Sequence, residues 1–171
     1  MQIALQIGAK VIGTSGSAQK LARLKDMGLT HGIPARGAGF AEEALRITDG
    51  KGVKLAINNV GGTAFPDALA SLAYRGRLGI VGYVDNTLSA VADLEAIHAK
   101  RLRVFGVSNK LRSAEQRAAT VRGFVADLLP FLADGRIRPV IDRVFAFDEL
   151  PAAKAYMESD AQVGKIIVRA P

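Results

Sequence analysis

The chain has 171 residues, the usual size of one domain and too few for two. Hydrophobic residues make up 49% of it and charged residues 23%, a composition that disfavours a disordered protein. No apolar run approaches the roughly 20 residues of a membrane-spanning helix, and no secretory signal pattern is present. Cysteine is absent, which excludes disulfides and thiolate metal sites within these residues. We therefore expect a globular protein of the cytoplasm with no membrane partner.

A net charge of +7 makes nucleic acid a candidate partner. The basic residues come in pairs that flank predicted turns: Arg75 and Arg77, Arg101 and Arg103, Arg136 and Arg138. No aromatic side chains that could stack on bases lie between them. We therefore interpret these arginines as a solvated basic surface and expect no nucleic-acid partner.

The predicted elements alternate between helix and strand along the chain. After a short helix that ends near Gly8, strands are predicted over residues 10–14, 31–33, 53–58, 77–83, 103–108, 140–147 and 165–168. The intervening helices carry apolar repeats, namely Leu21 and Leu24; Phe40, Ala44 and Ile47; Phe65, Leu69 and Leu72; Leu94 and Ile97; Val121, Phe124, Val125, Leu128 and Leu132; Leu150, Ala153 and Met157. Apolar strands that alternate with helices imply a doubly wound, parallel α/β sheet.

Particular residues predict how these helices begin and bend. Ser17 and Asp148 are typical N-cap residues, and Ser113 with Gln116 predicts a capping box. Pro130 predicts a bend in the helix that follows Ser113.

Four small, polar loops follow predicted strands, at residues 14–17, 58–62, 82–86 and 108–110. In an open parallel sheet, ligands bind beyond the carboxyl ends of the strands. Glycine and asparagine also make ordinary tight turns, but small residues let backbone and hydroxyl groups approach a nucleotide closely. Four such loops together favour a nucleotide site.

Several stretches carry a family resemblance when they are taken in order. They are A-L-Q-I-G-A-K-V-I-G-T-S-G-S-A-Q-K-L-A-R-L-K-D-M-G, A-I-N-N-V-G-G, G-R-L-G-I-V-G, G-R-I-R-P-V-I-D-R-V-F-A-F-D-E-L-P-A-A-K-A-Y-M and V-G-K-I-I-V. The series resembles the medium-chain dehydrogenase/reductase superfamily, and within it the zinc-independent quinone oxidoreductase (zeta-crystallin-like) branch. The resemblance implies one Rossmann-type NAD(P)-binding domain over residues 1–171, with a strand-helix-strand segment from about 136 to 171.

The resemblance begins part of the way into the family's pattern. A GroES-like substrate domain, the first Rossmann strand and a glycine-rich phosphate turn would all precede the position that Met1 matches. We therefore expect a C-terminal portion whose sheet lacks its first, central strand, and little turnover from these residues alone. Either the sheet closes differently, a partner covers it, or the sequence is incomplete.

The loop after Ile12 bears on the choice of cofactor. A nicotinamide cofactor with a free ribose diol is normally held by an acidic residue at this place, and none is present. Serine hydroxyls and a lysine suit a 2′-phosphate instead, and the resemblance places Lys20 in that role with Arg36 as a second cation. The candidates for this end of NADPH are Thr14, Ser15, Ser17, Lys20 and Arg36. Ala35 stands where the family often has a tyrosine, and an alternative makes Ser17 only a helix cap and Lys20 an exposed first-turn residue.

The remaining candidate cofactor residues come from the resemblance alone. They are Asn58, Asn59, Val60 and Gly61 beside the cofactor ribose, Gly82 and Tyr83 near the nicotinamide ribose, Ser108 and Asn109 near the nicotinamide, and Lys165. No catalytic acid, base or nucleophile is identifiable and no metal site is expected. We interpret His31 and His98 as packed or surface residues.

The favoured function is the cofactor-binding portion of an NADPH-dependent oxidoreductase that acts on a small quinone, enone or aldehyde. The alternatives are a non-catalytic nucleotide-binding or interaction module, a class I methyltransferase and a nucleic-acid-binding protein. A methyltransferase usually has an acid after its second strand, which counts against that class here.

The strand at residues 103–108 predicts a homodimer. By resemblance it lies at the edge of the sheet, and it carries no proline and no charge after Arg103. In the family such an edge commonly pairs with its two-fold mate. Val107→Pro is expected to remove a backbone donor from this edge. Apolar positions beside the missing central strand, such as Val11, Ile12, Leu55 and Ile57, are expected to remain partly exposed and to add a second reason for association.

Overall fold

A computed structural model describes residues 1–171 and contains eight α-helices and seven strands. The helices are α1 (Gln2–Gln6), α2 (Ala18–Asp26), α3 (Ala41–Ile47), α4 (Phe65–Ala70), α5 (Leu94–Ala99), α6 (Ala114–Asp127), α7 (Leu129–Ala133) and α8 (Leu150–Glu158). The strands are β1 (Ile12–Ser15), β2 (His31–Pro34), β3 (Val53–Asn58), β4 (Leu72–Ile80), β5 (Arg103–Gly106), β6 (Ile141–Ala146) and β7 (Lys165–Arg169). No helix is both long and apolar enough to span a membrane.

The strands form three sheets, and every strand pair is parallel. The sheets are β1-β2, β3-β4-β5 and β6-β7. Parallel strands with intervening helices confirm the predicted Rossmann-type α/β class. No strand joins β1 to β3, where the central strand was expected to be missing, and Leu55 and Ile57 on β3 are 46% and 58% exposed.

The chain divides into two compact units, one of residues Lys10–Thr120 and the other of Met1–Ala9 with Val121–Pro171. The first unit holds the sheets β1-β2 and β3-β4-β5, and the second holds β6-β7. A single domain over residues 1–171 remains a prediction.

The β1-α2-β2 segment follows the sequence prediction closely. Ser17 caps α2, because its hydroxyl oxygen accepts a hydrogen bond from the Lys20 amide at 3.3 Å. Leu21 faces inward and is 6% exposed. The helix ends before Gly28, whose φ of +95° suits glycine at this position.

The core of the β3-β4-β5 sheet consists of leucine side chains. Leu69 on α4 and Leu72 and Leu78 on β4 are at most 1% exposed, and they cluster with Ala68 and Leu102. Burial of such side chains stabilises the fold by roughly 1.5–3 kcal/mol each. This core holds the strands in register, so that their carboxyl ends lie at one edge.

Strand β4 begins earlier than predicted and contains a bulge. Leu72 was expected in the preceding helix, but that helix ends at Ala70 because the Ser71 carbonyl accepts a hydrogen bond from the Val53 amide at 2.8 Å. Val53 pairs with Leu72 and Leu55 with Arg77, so the four residues 73–76 of β4 stand opposite the single residue Lys54 of β3, three more than a regular ladder has. The strand then ends at Ile80 rather than Tyr83.

Helix α3 is capped from a distance. Its N-cap residue, Phe40, has no side chain that could accept the first free amides. Asp67 on α4 does so instead, since its Oδ2 accepts hydrogen bonds from the Phe40 amide at 2.6 Å and the Ala41 amide at 3.1 Å.

Within the second unit, β6 and β7 are held to α8 by one acidic residue. Asp142 accepts hydrogen bonds from the Tyr156 hydroxyl at 2.7 Å and from the Val163 amide at 3.1 Å. Phe145 on β6 and Ala153 on α8 are both buried, at 8% and 4% exposed, and the Phe145 ring centroid lies 6.1 Å from that of Tyr156 on α8.

Two predictions for helices in residues 113–158 are corrected by the structure. Asp148 does not cap α8, because the chain first makes a short 3-10 helix (Phe147–Glu149), and Glu149 accepts the Ala146 amide hydrogen bond instead at 2.8 Å. The predicted apolar face of α6 is not buried: Val121 is 60% exposed, since α6 is only weakly amphipathic. Helix α6 ends at Asp127, and the separate helix α7 begins at Leu129. This interruption next to Pro130 agrees with the bend predicted there.

Candidate functional site

The loop after β1 places two serine hydroxyls side by side. Ser15 Oγ accepts a hydrogen bond from the Ser17 amide at 3.2 Å, and Ser17 Oγ accepts one from the Lys20 amide. Both hydroxyls act as acceptors here, so each can still donate its proton to another group. Thr14 precedes them on β1 and is exposed, and Lys20 lies in the first turn of α2.

Arg36 from the end of β2 lies directly against this loop. A Cβ atom built on Gly16 would be 2.9 Å from Arg36 Nε and 3.1 Å from Arg36 Cβ, so a side chain at this position would crowd the arginine. The Ala35 amide donates to the Ser15 carbonyl at 3.0 Å, which fixes the two segments together. A cation distant in sequence therefore joins the serine hydroxyls.

The loop after β3 is shaped by one buried amide side chain. Asn58 is 4% exposed, and its Oδ1 accepts hydrogen bonds from the amides of Val60 at 2.9 Å and Gly61 at 3.0 Å. Its Nδ2 donates to the Gly61 carbonyl at 2.9 Å. Asn59 next to it is exposed. The side chain of Asn58 thus holds the loop, while Asn59 faces outward.

The loops after β3 and β4 are joined by backbone hydrogen bonds. The Val81 amide donates to the Asn58 carbonyl, the Asp85 amide to the Val60 carbonyl and the Gly62 amide to the Thr87 carbonyl, each at 2.8 Å. Between them lies a cavity of about 160 Å³. It is lined by Asn58, Gly61, Gly62, Phe65, Ile80, Gly82, Tyr83, Thr87, Leu88, Ser89 and Ala90.

Asp85 fastens this pair of loops and was not singled out from the sequence. Its Oδ2 accepts hydrogen bonds from the Thr63 hydroxyl at 2.6 Å and the Thr63 amide at 2.9 Å, and its Oδ1 accepts one from the Thr87 amide at 2.9 Å. The Thr63 hydroxyl is the main reason that the pKa of Asp85 lies below its ordinary value. The local signal was the D-N-T turn, in which an aspartate accepts the amide two residues on.

Gly61 and Gly37 permit close approaches at the same edge. A Cβ on Gly61, where φ is +129°, would lie 1.9 Å from Asp85 Oδ1. A Cβ on Gly37 would lie 2.9 Å from Thr63 Oγ1, so the loop that carries Arg36 touches the loop after β3. The structure therefore brings the first three candidate loops to one edge of the Lys10–Thr120 unit.

The other predicted site residues are less closely gathered. Ser108 and Asn109 follow β5 and bind their own neighbours: Ser108 Oγ accepts the Lys110 amide at 3.1 Å, and Asn109 Oδ1 accepts from the Arg112 guanidinium at 3.0 Å. Neither lines the cavity. Lys165 begins β7 in the other unit.

The loops at this edge carry hydroxyl, amide and basic groups. No three histidine, cysteine, aspartate or glutamate side chains are grouped to hold a metal ion among residues 1–171. His31 and His98 are exposed. The loops present hydroxyl groups, amides, glycines and two basic side chains. These groups suit a phosphorylated ligand with ribose hydroxyls.

A parallel α/β unit whose polar loops meet at the carboxyl ends of its strands is a Rossmann-like nucleotide-binding domain. Residues 1–122 match the family described as zinc-binding dehydrogenase, and the chain belongs to this family. The predicted relation to the medium-chain dehydrogenase/reductase superfamily is thereby confirmed. The family's description mentions zinc, but residues 1–171 contain no cluster of three or more histidine, cysteine, aspartate or glutamate side chains that could bind it.

Three similar proteins illustrate the relation. A zinc-type alcohol dehydrogenase-like protein of Schizosaccharomyces pombe is 32% identical over 99% of this chain and 47% of its own length. Prostaglandin reductase 1 of Bos taurus is 30% identical over 99% of this chain and 52% of its own. The structure of Escherichia coli quinone oxidoreductase complexed with NADPH has a TM-score of 0.79 at 25% identity, over 99% of this chain and 52% of that one. The chain spans about half the length of these relatives.

Proposed function

We propose that this chain forms the cofactor-binding portion of an NADPH-dependent oxidoreductase that reduces a small quinone, enone or aldehyde. Two similar proteins support this class: one is named a prostaglandin reductase, and the other is a quinone oxidoreductase in complex with NADPH. When bound, NADPH would supply the hydride, and the residues of this chain would hold and orient it.

The contact between Arg36 and Gly16 carries the choice of cofactor. It places a guanidinium beside Ser15 and Ser17, with Lys20 one helical turn on, at the loop where an NAD-binding protein usually has a carboxylate. Two cations and two hydroxyl donors fit a 2′-phosphate, whereas a free ribose diol would find no carboxylate among them to accept from both of its hydroxyls.

The remaining loops would hold the rest of the cofactor. Asn59, Val60 and Gly61 are proposed to lie beside one ribose, and Gly82 and Tyr83 beside the cavity under the nicotinamide ribose. Asn58 acts on the cofactor indirectly, through the loop that it fixes. Thr14 is proposed at the adenosine end, and Ser108, Asn109 and Lys165 at the nicotinamide end.

Lys20→Glu tests the proposed phosphate site. The exchange replaces an attraction with a repulsion, and a charge-assisted hydrogen bond contributes roughly 1.5–3 kcal/mol. We therefore expect NADPH affinity, measured by isothermal titration calorimetry, to fall by about tenfold or more. The wild-type protein should bind NADPH more tightly than NADH.

Lys25→Glu is the matched control, because this lysine lies exposed in the last turn of the same helix. It should change NADPH affinity by less than about twofold. Equal wild-type affinities for NADPH and NADH would contradict the proposal. NADPH oxidation in the presence of a quinone or an enone tests the activity itself. Turnover by this chain would exclude a non-catalytic binding module and would contradict the expectation of little turnover from these residues alone.

A further inference from the structure

The amino ends of β4 and β5 form a cleft lined by arginine, opposite the edge described above. It has a volume of about 470 Å³, and its lining residues are Arg75, Arg77, Arg101, Leu102 and Arg103. We propose that this cleft binds a small molecule carrying two or more phosphate groups. The proposal does not depend on the proposed NADPH site, which uses other residues.

The fold assembles the cleft from two segments that are separate in sequence. The bulge at residues 73–76 takes Arg75 out of the regular pairing between β3 and β4. The Arg75 amide donates a hydrogen bond to the carbonyl of Lys100, just before β5, at 2.7 Å. Arg77 and Arg103 are paired in register on adjacent parallel strands. Paired residues of such strands lie about 4.8 Å apart and point to the same face, so their guanidinium groups share one space.

The four arginines of the cleft make no ion pair with the protein. Other arginines of the chain do: Arg46 binds Glu43 at 2.5 Å, and Arg136 binds Asp134 at 2.6 Å. Four like charges around one cleft repel each other and attract an anion. A ligand with several negative charges would relieve that repulsion.

The backbone at two of these arginines is held in an unusual conformation. Five non-glycine residues have a positive φ, and three of them are the aspartates and asparagine that tolerate it best. The other two are Arg75 at +59° and Arg101 at +50°, and both line the cleft. Backbone strain of this kind is concentrated at functional sites.

The lining indicates what the ligand is. A volume of about 470 Å³ is within the range of small-molecule sites. Guanidinium groups bind phosphate in a bidentate manner, and four of them exceed what one phosphate can use. No aromatic side chain lines the cleft to stack on a base, so recognition would rest on the phosphates.

The test uses inorganic tripolyphosphate as the probe, measured by calorimetry against orthophosphate. We expect tripolyphosphate to bind at least about tenfold more tightly. Arg75→Asn with Arg101→Asn should weaken its binding by about tenfold or more. Asparagine accepts the left-handed backbone conformation, so this double variant should keep the wild-type circular dichroism spectrum and melting temperature. Its NADPH affinity should be unchanged.

The matched control is Arg117→Gln with Arg122→Gln, which removes the same charge from exposed positions on α6. It should alter tripolyphosphate affinity by less than about twofold. An equal loss in this control would overturn the proposal, because attraction to the net charge would then explain the binding. A second double variant, Arg77→Gln with Arg103→Gln, serves in case the first one misfolds. Tripolyphosphate binding that survives in both double variants would also overturn the proposal.

Duplex DNA provides the last arm of the test. Tighter binding of a short duplex than of tripolyphosphate, lost in the Asn double variant, would overturn the small-molecule proposal in favour of a nucleic-acid surface. Weak duplex binding with the same affinity in wild-type and variant proteins supports the small-molecule site.

Discussion

At the residue scale, the roles of Asn58 and Asp85 lie in the shape of the loops. Each belongs to a different one of the loops that sequence analysis marked as small and polar, and the resemblance placed Asn58 beside a ribose. In the structure the Asn58 amide is turned toward its own loop, and the Asp85 carboxylate joins that loop to the next one. Their effects on a ligand are therefore transmitted through the backbone.

Asn58→Ala should destabilise the protein by about 2–3 kcal/mol, because it leaves buried backbone groups of Val60 and Gly61 without partners. Chemical denaturation monitored by circular dichroism measures the free energy of unfolding. Asn59→Ala is the control: that side chain is exposed, and its loss should cost less than about 0.5 kcal/mol. Equal costs for the two variants would show that the Asn58 hydrogen bonds contribute nothing.

Thr63→Val should raise the pKa of Asp85 toward its ordinary value near 3.9. The Thr63 hydroxyl is the main cause of the lowered pKa, and valine cannot donate a hydrogen bond. A lowered carboxyl pKa stabilises the folded state above the ordinary pKa, and this contribution is lost as pH falls through the folded-state value. The loop contacts should therefore weaken only below about pH 4.

The carboxyl carbon shift of Asp85, followed by NMR from pH 2 to 7, reports its pKa directly. Thr14→Val removes a hydroxyl elsewhere, on β1, and should leave the titration of Asp85 unchanged. If Thr63→Val also leaves it unchanged, the backbone amides of Thr63 and Thr87 hold the pKa down without the hydroxyl.

At the element scale, β5 forms one edge of the β3-β4-β5 sheet. Val104 and Phe105 on it are 39% and 41% exposed. The Val107 amide donates to the Ile80 carbonyl at 2.8 Å, so it faces β4 rather than the free edge, and the sequence-based choice of Val107→Pro for testing that edge is wrong. Because amide directions alternate along a strand, the amide of Val104 points outward.

Val104→Pro is therefore the variant that tests the predicted dimer. Proline removes an outward donor and is tolerated at a sheet edge. We expect the wild-type protein to elute as a dimer and the variant to shift toward monomer, as measured by light scattering behind a sizing column at micromolar concentration. Val107→Pro should instead lower stability, since it breaks a bond to β4. A wild-type monomer would end the dimer hypothesis.

Elements defined by short-range chemistry were predictable from the sequence. Ser17 caps α2 as expected, and Ser113 and Gln116 form the predicted capping box, with reciprocal hydrogen bonds of 2.9 and 3.2 Å. The start of β4 was not predictable, because a distant strand draws Ser71 and Leu72 out of the helical pattern. The prediction that Asp148 caps α8 was wrong for a local reason, because Asp148 lies inside the 3-10 helix that precedes α8.

At the scale of the whole molecule, sequence analysis found the loops but not their contacts. Order along the chain gave the α/β class and the edge where a ligand would bind. Two contacts depend on strand pairing between segments that are distant in sequence. One is the approach of Arg36 to Gly16, and the other brings the pairs Arg75/Arg77 and Arg101/Arg103 to one cleft. The basic charge that looked dispersed along the sequence is thus gathered, in part, at the amino ends of β4 and β5.

The cap that Asp67 provides for α3 bears on the order in which the chain can assemble. The first free amides of α3 have no acceptor of their own, and they gain one only when α4 has formed and docked. A nascent α3 is short and therefore unstable in isolation. We therefore expect α3 to become fully helical only after α4, which follows it in the sequence, has formed and brought Asp67 to its first turn.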